Sequence, residues 1–314
     1  MKMNQEIINK IDEIEKKYKG QFDEKLKEAE KNGKVNPMAL RIFLVILAIG
    51  LIVQVSLLLS GDFENVATVM VVLLVAFFGL VIVSCKKDKI DKSDIYNAEY
   101  CQLVVKEVLG VVFNNIQCEV DPINPNNKVI YDEANFDKKY SIIKFNSAWS
   151  MNYGNHVFRI FDVLTEIPSN SKENNYKTLF KGLFGVITLS HNFNCEIIVN
   201  SESETHGKSE LINIDSLDFD KTFNVYTNNK QAAMQLLTHD VMDKLLNMKN
   251  RGFKFEFRII NDKLYCRFDH LSFDNRAVFA VERRMLETHY WSAMVFIELM
   301  NIVEKAIYDN SLRD

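Results

Sequence analysis

The 314-residue chain is poor in the residues that break or staple a fold, with 4 prolines, 11 glycines and 5 cysteines. So few breakers exclude a collagen-like or low-complexity chain. With 47% apolar residues, they point to ordered structure joined by polar loops. The cysteines, Cys85, Cys101, Cys118, Cys195 and Cys266, are odd in number, widely scattered and without any C-x-x-C spacing. That pattern excludes a disulfide framework and a zinc knuckle as organising devices and implies reduced, mostly buried thiols. A surplus of positive charge is also missing. Lys and Arg number 38 against 42 Asp and Glu, a formal net charge of −4. The chain lacks the electrostatic footprint of a nucleic-acid-binding protein, and no nucleic acid is expected as a partner.

Signatures of catalysis are equally scarce. There is no G-x-S-x-G, no H-E-x-x-H and no phosphate-loop spacing, so the catalytic residues are unknown and no cofactor or metal is expected. Lys181-Gly-Leu-Phe-Gly185 brings two glycines close together, but it lies inside a strand-like run, where packing accounts for them better than anion binding. Glu202, Glu204 and His206 offer metal-type donors, yet such charges on a polar loop are ordinarily solvated. His191 and Cys195 would stand more than about 13 Å apart on an extended strand. The histidines His156, His239, His270 and His289 are isolated from one another in sequence. Phe253, Phe255 and Phe257, with Lys254, Arg258 and Arg267 nearby, imitate a base-stacking surface. Strict alternation assigns those rings to a core face instead.

What the chain does possess is two uncharged apolar runs, Ile42 to Gly61 and Asn65 to Cys85, of 20 and 21 residues. At about 1.5 Å per residue each reaches roughly 30 Å, the thickness of a bilayer's hydrocarbon layer. Lys31, Lys34 and Arg41 precede the pair, and Lys86, Lys87, Lys89 and Lys92 follow it, while the connection carries only Asp62 and Glu64. The positive-inside rule therefore predicts a two-span protein of the cell membrane, with the lipid bilayer as partner and both termini cytoplasmic. Gln54, near mid-span, needs a hydrogen bond from a neighbouring helix.

Before the runs, Ile7, Ile11, Ile14, Tyr18, Phe22, Leu26 and Ala29 recur at helical spacing, predicting one amphipathic helix from about Asn4 to Lys31. After them the pattern predicts a helix over 93–113 and a short strand over 117–120. A brief helix is predicted over 131–139, and strands over 140–145, 156–167, 177–189, 195–199 and 222–226. Helices near 230–237 and 239–249 come next, then a hairpin turning at Asn261-Asp262 and a long helix from Arg283 to Tyr308. The fold class expected is α+β: a two-helix transmembrane hairpin followed by a cytosolic antiparallel-sheet domain with flanking helices. Its parts are residues 1–37, an amphipathic helix and linker; 38–85, the hairpin; and 86–314, the cytosolic domain.

Three runs carry a resemblance: Lys177-Thr-Leu-Phe-Lys-Gly-Leu-Phe-Gly-Val, Phe219-Asp-Lys-Thr-Phe-Asn-Val-Tyr-Thr, and Leu236-Leu-Thr-His-Asp-Val-Met-Asp-Lys-Leu-Leu. With the hairpin around Leu264-Tyr265, and in this order, they resemble the bacterial domain-of-unknown-function 3137 family. The resemblance implies a two-span architecture with a globular domain, and it implies no catalytic residue. Ser201-Glu-Ser-Glu-Thr-His-Gly departs from the family pattern. These features predict a non-enzymatic interaction module that binds a protein partner or forms a homo-oligomer. The alternative is a lipid- or small-ligand-binding domain with an apolar cavity enclosed between the sheet and the last helix.

Overall fold

The computed structural model describes residues 3–21, 98–120, 124–137, 140–169, 176–201, 209–273 and 281–311. Two compact units divide the chain, Met1–Lys19 with Asn97–Asp314, and Gly20–Tyr96. The described elements all fall in the first. They are α1 (Gln5–Tyr18), a π-helical segment (Cys101–Val105) continued by α2 (Lys106–Leu109), β1 (Asn114–Val120), α3 (Pro125–Ala134), β2 (Ile142–Tyr153), β3 (His156–Pro168), β4 (Tyr176–Thr188), β5 (Glu196–Asn200), β6 (Glu210–Ile212), α4 (Leu217–Asp220), β7 (Asn224–Thr227), α5 (Lys230–Leu236), α6 (His239–Asn250), β8 (Phe255–Ile260), β9 (Lys263–Asp269) and α7 (Arg283–Ser311).

The strands form one nine-stranded sheet in the order β1-β2-β3-β4-β9-β8-β5-β7-β6, and the neighbours pair antiparallel. Its longest members, β2 to β4, are joined by local connections. The turn between β2 and β3 is Gly154-Asn155, where Gly154 has a φ of +57° that a hairpin turn requires. The β8–β9 turn falls at Asn261-Asp262 as its sequence predicts, with Asn261 at φ +56°.

Helix α7 lies on one face of the sheet. Its Phe296 ring meets Phe268 of β9 edge to face, with centroids 4.8 Å apart. That approach is possible because β4 carries no side chain at Gly185. A Cβ there would stand 2.4 Å from the Phe296 ring, and one at Gly182 would stand 2.1 Å from the Phe268 carbonyl oxygen. The glycines of Lys181–Gly185 thus make room for neighbours. Phe255 and Phe257 are buried, while Arg258 and Arg267, one step out of phase, point to the opposite face. There Tyr131, Ala134 and Phe136, from α3 and the turn after it, close over Phe161, Val163, Phe180, Phe184, Val186 and Tyr265. Eleven large side chains, among them Trp149, Phe184, Phe268 and Phe296, are essentially inaccessible. Phe296 fills the space between α7 and the sheet at Gly185.

The expected fold class is therefore corrected. The described structure is a large antiparallel sheet with helices, and among the described residues no helix is long and apolar enough to cross a membrane. Helix α7, of 29 residues, has the length, but Glu287, Glu298, Glu304 and Lys305 interrupt its apolar side, as suits a helix lying half on a sheet. The two apolar runs, the hairpin assigned to 38–85 and Gln54 lie outside the described residues. A two-span membrane protein has no support in the described structure.

Local boundaries move as well. The brief helix expected over 131–139 is displaced towards the N-terminus. Helix α3 starts earlier, at Pro125, behind an Asn124 cap whose side chain accepts from Asn126 N, and it ends at Asn135 in the left-handed conformation. Strand β2 runs eight residues past the expected Phe145, to Tyr153, because alternate buried positions continue through Ser147, Trp149 and Met151.

Gly182→Ala is expected to destabilise the fold by about 1–3 kcal/mol or more, since the added methyl meets backbone rather than a movable side chain. Urea denaturation followed by tryptophan fluorescence measures this. An unchanged midpoint would contradict the close β4–β9 approach.

Candidate functional site

At one end of the sheet, α1, the π-helical segment with α2, and β1 meet around an open cleft of about 440 Å³. Asn4 caps α1 by accepting from Ile7 N at 2.9 Å, and Ile11, Ile14 and Tyr18 turn inward and are buried. Over the stretch described, the apolar stripe of α1 is thus packed on the body of the same unit. Two ion pairs hold it there: Lys17 Nζ reaches both Glu107 carboxylate oxygens at 3.0 and 2.9 Å, and Arg283 bonds Asp12 at 3.2 Å. Lys19 and Gly20, the latter at φ +87°, end the helix.

The returning chain enters beside α1. The π-helical segment Cys101–Val105 turns Cys101, Val104 and Val105 inward and leaves Gln102 exposed and Leu103 half-buried. Tyr18, Leu103, Lys106 and Glu107 form the helical wall of the cleft, and Phe113 to Ile116 form the strand wall. Phe113 is locked by edge contacts with Phe158 and Tyr153, at 5.3 and 6.1 Å. Asn115, at φ +54°, makes an irregularity in the β1–β2 register before Gln117. From Gln117 to Val120 the pairing with β2 is regular, and among the described residues no strand lies on the outer side of β1.

Beneath this end sits a buried polar pair. Tyr100 Oη and His289 Nε2 are 3.1 Å apart, and Cys101 Sγ donates to the Phe273 carbonyl at 3.7 Å. Burial pushes the Tyr100 phenol up, so it stays protonated and donates. Burial also pushes the His289 imidazole down to about 4, partly offset by the Ser272 backbone, which keeps it neutral. Asp162, also buried, accepts from Asn146 Nδ2 and Phe273 N at 3.0 and 3.1 Å and from the Ser272 hydroxyl. These groups fix the chain just after β9.

The opposite face has its own network under a second open cleft of about 730 Å³, bordered by Lys128, Tyr131, Asp137 and Tyr140. Arg267 bonds Asp137 at 2.5 Å and Glu256, and its guanidinium lies 5.1 and 5.0 Å from the Phe136 and Phe180 rings. Asp137 also accepts from Tyr131 and Thr165 at 2.7 and 2.8 Å. Burial opposes its ionisation, but Arg267 and these hydroxyls hold the carboxyl below the usual range. Each strong donor has its acceptor here, so the network works as a clamp that fastens α3 to the sheet.

The remaining sequence candidates scatter. His156 Nδ1 lies 2.9 Å from the Thr188 carbonyl and 3.7 Å from Glu304, and Glu304 accepts from Ser190 N at 2.7 Å and from its hydroxyl. Serine meets carboxylate rather than imidazole, so these three side chains do not make a Ser–His pair. His191 stacks edge-on with Phe193, His239 begins α6, and His270, at φ +63°, follows β9. Cys195 and Cys266 are buried, and burial raises both thiols. Glu202, Glu204 and His206 lie outside the described residues. Among the described residues no group of three or more metal-type donors is arranged to hold an ion. The cleft and the strand edge gave no sequence signal beyond the weak Gln117–Val120 alternation.

The unfolded chain takes up a proton on His289 near the ordinary value of 6.5, whereas the folded chain resists until about pH 4. Stability from this site is therefore complete above pH 6.5 and is lost on acidification towards pH 4, by roughly 3 kcal/mol. His289→Gln is expected to flatten the slope of unfolding free energy over that window, as denaturant titrations at stepped pH would read. Asp137→Ala is expected to cost about 3 kcal/mol at neutral pH by leaving Arg267 short of a buried partner. Since the Asp137 pKa is lowered, that contribution disappears in the wild type as pH falls through it.

No curated protein matches this chain. The crystal structure of the mycobacterial trehalose monomycolate transport factor A, TtfA, shares 8% sequence identity with it at a TM-score of 0.40, covering 63% of this chain and 93% of that one. Likeness at that level decides nothing about what this chain does. Residues 178–308, from β4 into α7, match the model of the family described as Protein of unknown function (DUF3137), in agreement with the resemblance carried by the runs at Lys177, Phe219 and Leu236.

Proposed function

We propose that the folded unit is a non-enzymatic interaction module that receives another polypeptide at the α1–α2–β1 end. The observation carrying this reading is the open cleft beside the outer edge of β1. An extended polypeptide satisfies the unpaired backbone groups of such an edge and lays alternate side chains into the adjoining cleft. Lys106, exposed on the helical wall, has no ion pair among the described residues and favours an acidic or neutral neighbour. Ser190, Glu304 and His156 act as fasteners in this reading, tying α7 to β3 and to the chain after β4.

A photoreactive amino acid placed at Gln102 in the full chain is expected to cross-link to protein. The same group at Leu217, exposed on α4, should not. Leu103→Glu should abolish the Gln102 product while leaving the thermal midpoint within a degree or two, because the side chain is only half-buried. Equal cross-linking from both positions, or stoichiometric lipid found on the purified unit by native mass spectrometry, would overturn the reading.

A further inference from the structure

We propose that the polypeptide received at this end is a second copy of the same chain, with β1 pairing antiparallel to β1 across a two-fold axis at Cys118. This deepens the interaction-module reading and rests on it. Strand β1 ends a nine-stranded sheet and presents seven residues, Asn114–Val120, without a lysine or proline to discourage pairing. At the other end β6 offers only three. The edge strand is the surface where a further strand gains most, because its outward backbone groups otherwise rely on water.

The sequence of β1 fits its own reverse. Past the irregularity at Asn115, the side chains alternate. Ile116, Cys118 and Val120 are half-buried, Cys118 being on the face of its buried partner Trp149, while Gln117 and Glu119 are exposed. In antiparallel pairing, residues directly opposite share a face, so the two-fold must pass through a residue. Centred on Cys118, it sets Ile116 against Val120 of the other copy, Gln117 against Glu119, and Cys118 against itself. Apolar meets apolar, the carboxylate meets an amide, and no like charges are directly opposed. Centring on Gln117 would force the left-handed Asn115 into the ladder. Centring on Glu119 would oppose two carboxylates.

The position of Cys118 supplies the test. Opposed residues of an antiparallel pair have Cα atoms about 4.5 or 5.5 Å apart, and both spacings lie within the range a disulfide spans. The other described cysteines, Cys101, Cys195 and Cys266, are buried. In the full chain carrying Cys85→Ser, copper–phenanthroline oxidation is expected to give a disulfide-linked dimer. Tryptic mass spectrometry should identify it as Cys118 joined to Cys118.

Cys118→Ser should lose the covalent band yet sediment as a dimer. Cys118→Asp, which opposes two carboxylates, should raise the dimer dissociation constant by at least about tenfold. Circular dichroism should confirm that both variants are folded. A chain that sediments as a monomer at tens of micromolar, or a dimer that Cys118→Asp leaves intact, would overturn the proposal. If Gln102 still cross-links to a different protein in that case, the broader interaction reading survives and only the identity of the partner fails.

Discussion

The apolar surface of a long antiparallel sheet has to be covered on both faces, and that requirement shapes every described element. On one face the cover is α7, which comes close because Gly185 yields its side-chain space to Phe296. On the other it is α3, a helix of ten residues too short to cover the sheet by burial alone. There the apolar cluster around Phe184 is supplemented by Arg267, held between two aromatic rings and two carboxylates. Packing closes one face, and packing reinforced by charge closes the other. The difference follows from the size of the element available.

The same requirement draws several polar groups into contacts within the fold. His289 lies in the seam between α7 and Tyr100, where its neutral form is held by burial. Glu304 and His156 tie the far part of α7 to the sheet, and Asp162 anchors the chain leaving β9. Each is answered by a neighbour from a distant part of the sequence. Side chains held in this way help to fix a unique arrangement.

Coverage is incomplete at one end. Strand β1 diverges from α2 at Phe113, and α1 fills only part of the gap between them. Since α1 buries Ile11, Ile14 and Tyr18 against its own unit, the helix builds a wall of the cleft instead of serving as a free interaction surface. Among the described residues, the outer side of β1 has no neighbouring strand. The interface proposed at that place would complete the sheet.

Much of this architecture could be read from residue order. The alternation from Phe255 to Ile260 and the Asn261-Asp262 turn specified β8 and β9, since side-chain period and turn chemistry are local. The helical stripe of α7 was equally plain, as was the core assignment of Phe255 and Phe257. The extension of β2 to Tyr153 was not, because Ser147 and Asn152 break the apolar alternation and only the cross-strand partners in β3 explain them. The start of α3 was missed because Asn126 and Asn127 read as loop, whereas Asn124 and Pro125 are its cap and first turn. The apolar runs at 42–61 and 65–85 led to a two-span fold class, whereas among the described residues no helix is long and apolar enough to cross a membrane. Sequence alone determined the periodicities, the turns and the lack of any local catalytic motif, because those depend on neighbours a few residues away. Tertiary structure decided that Arg267 clamps Asp137, that His289 stays neutral and that β1 forms an edge. Burial and pairing between residues more than a hundred positions apart exist only once the sheet has closed.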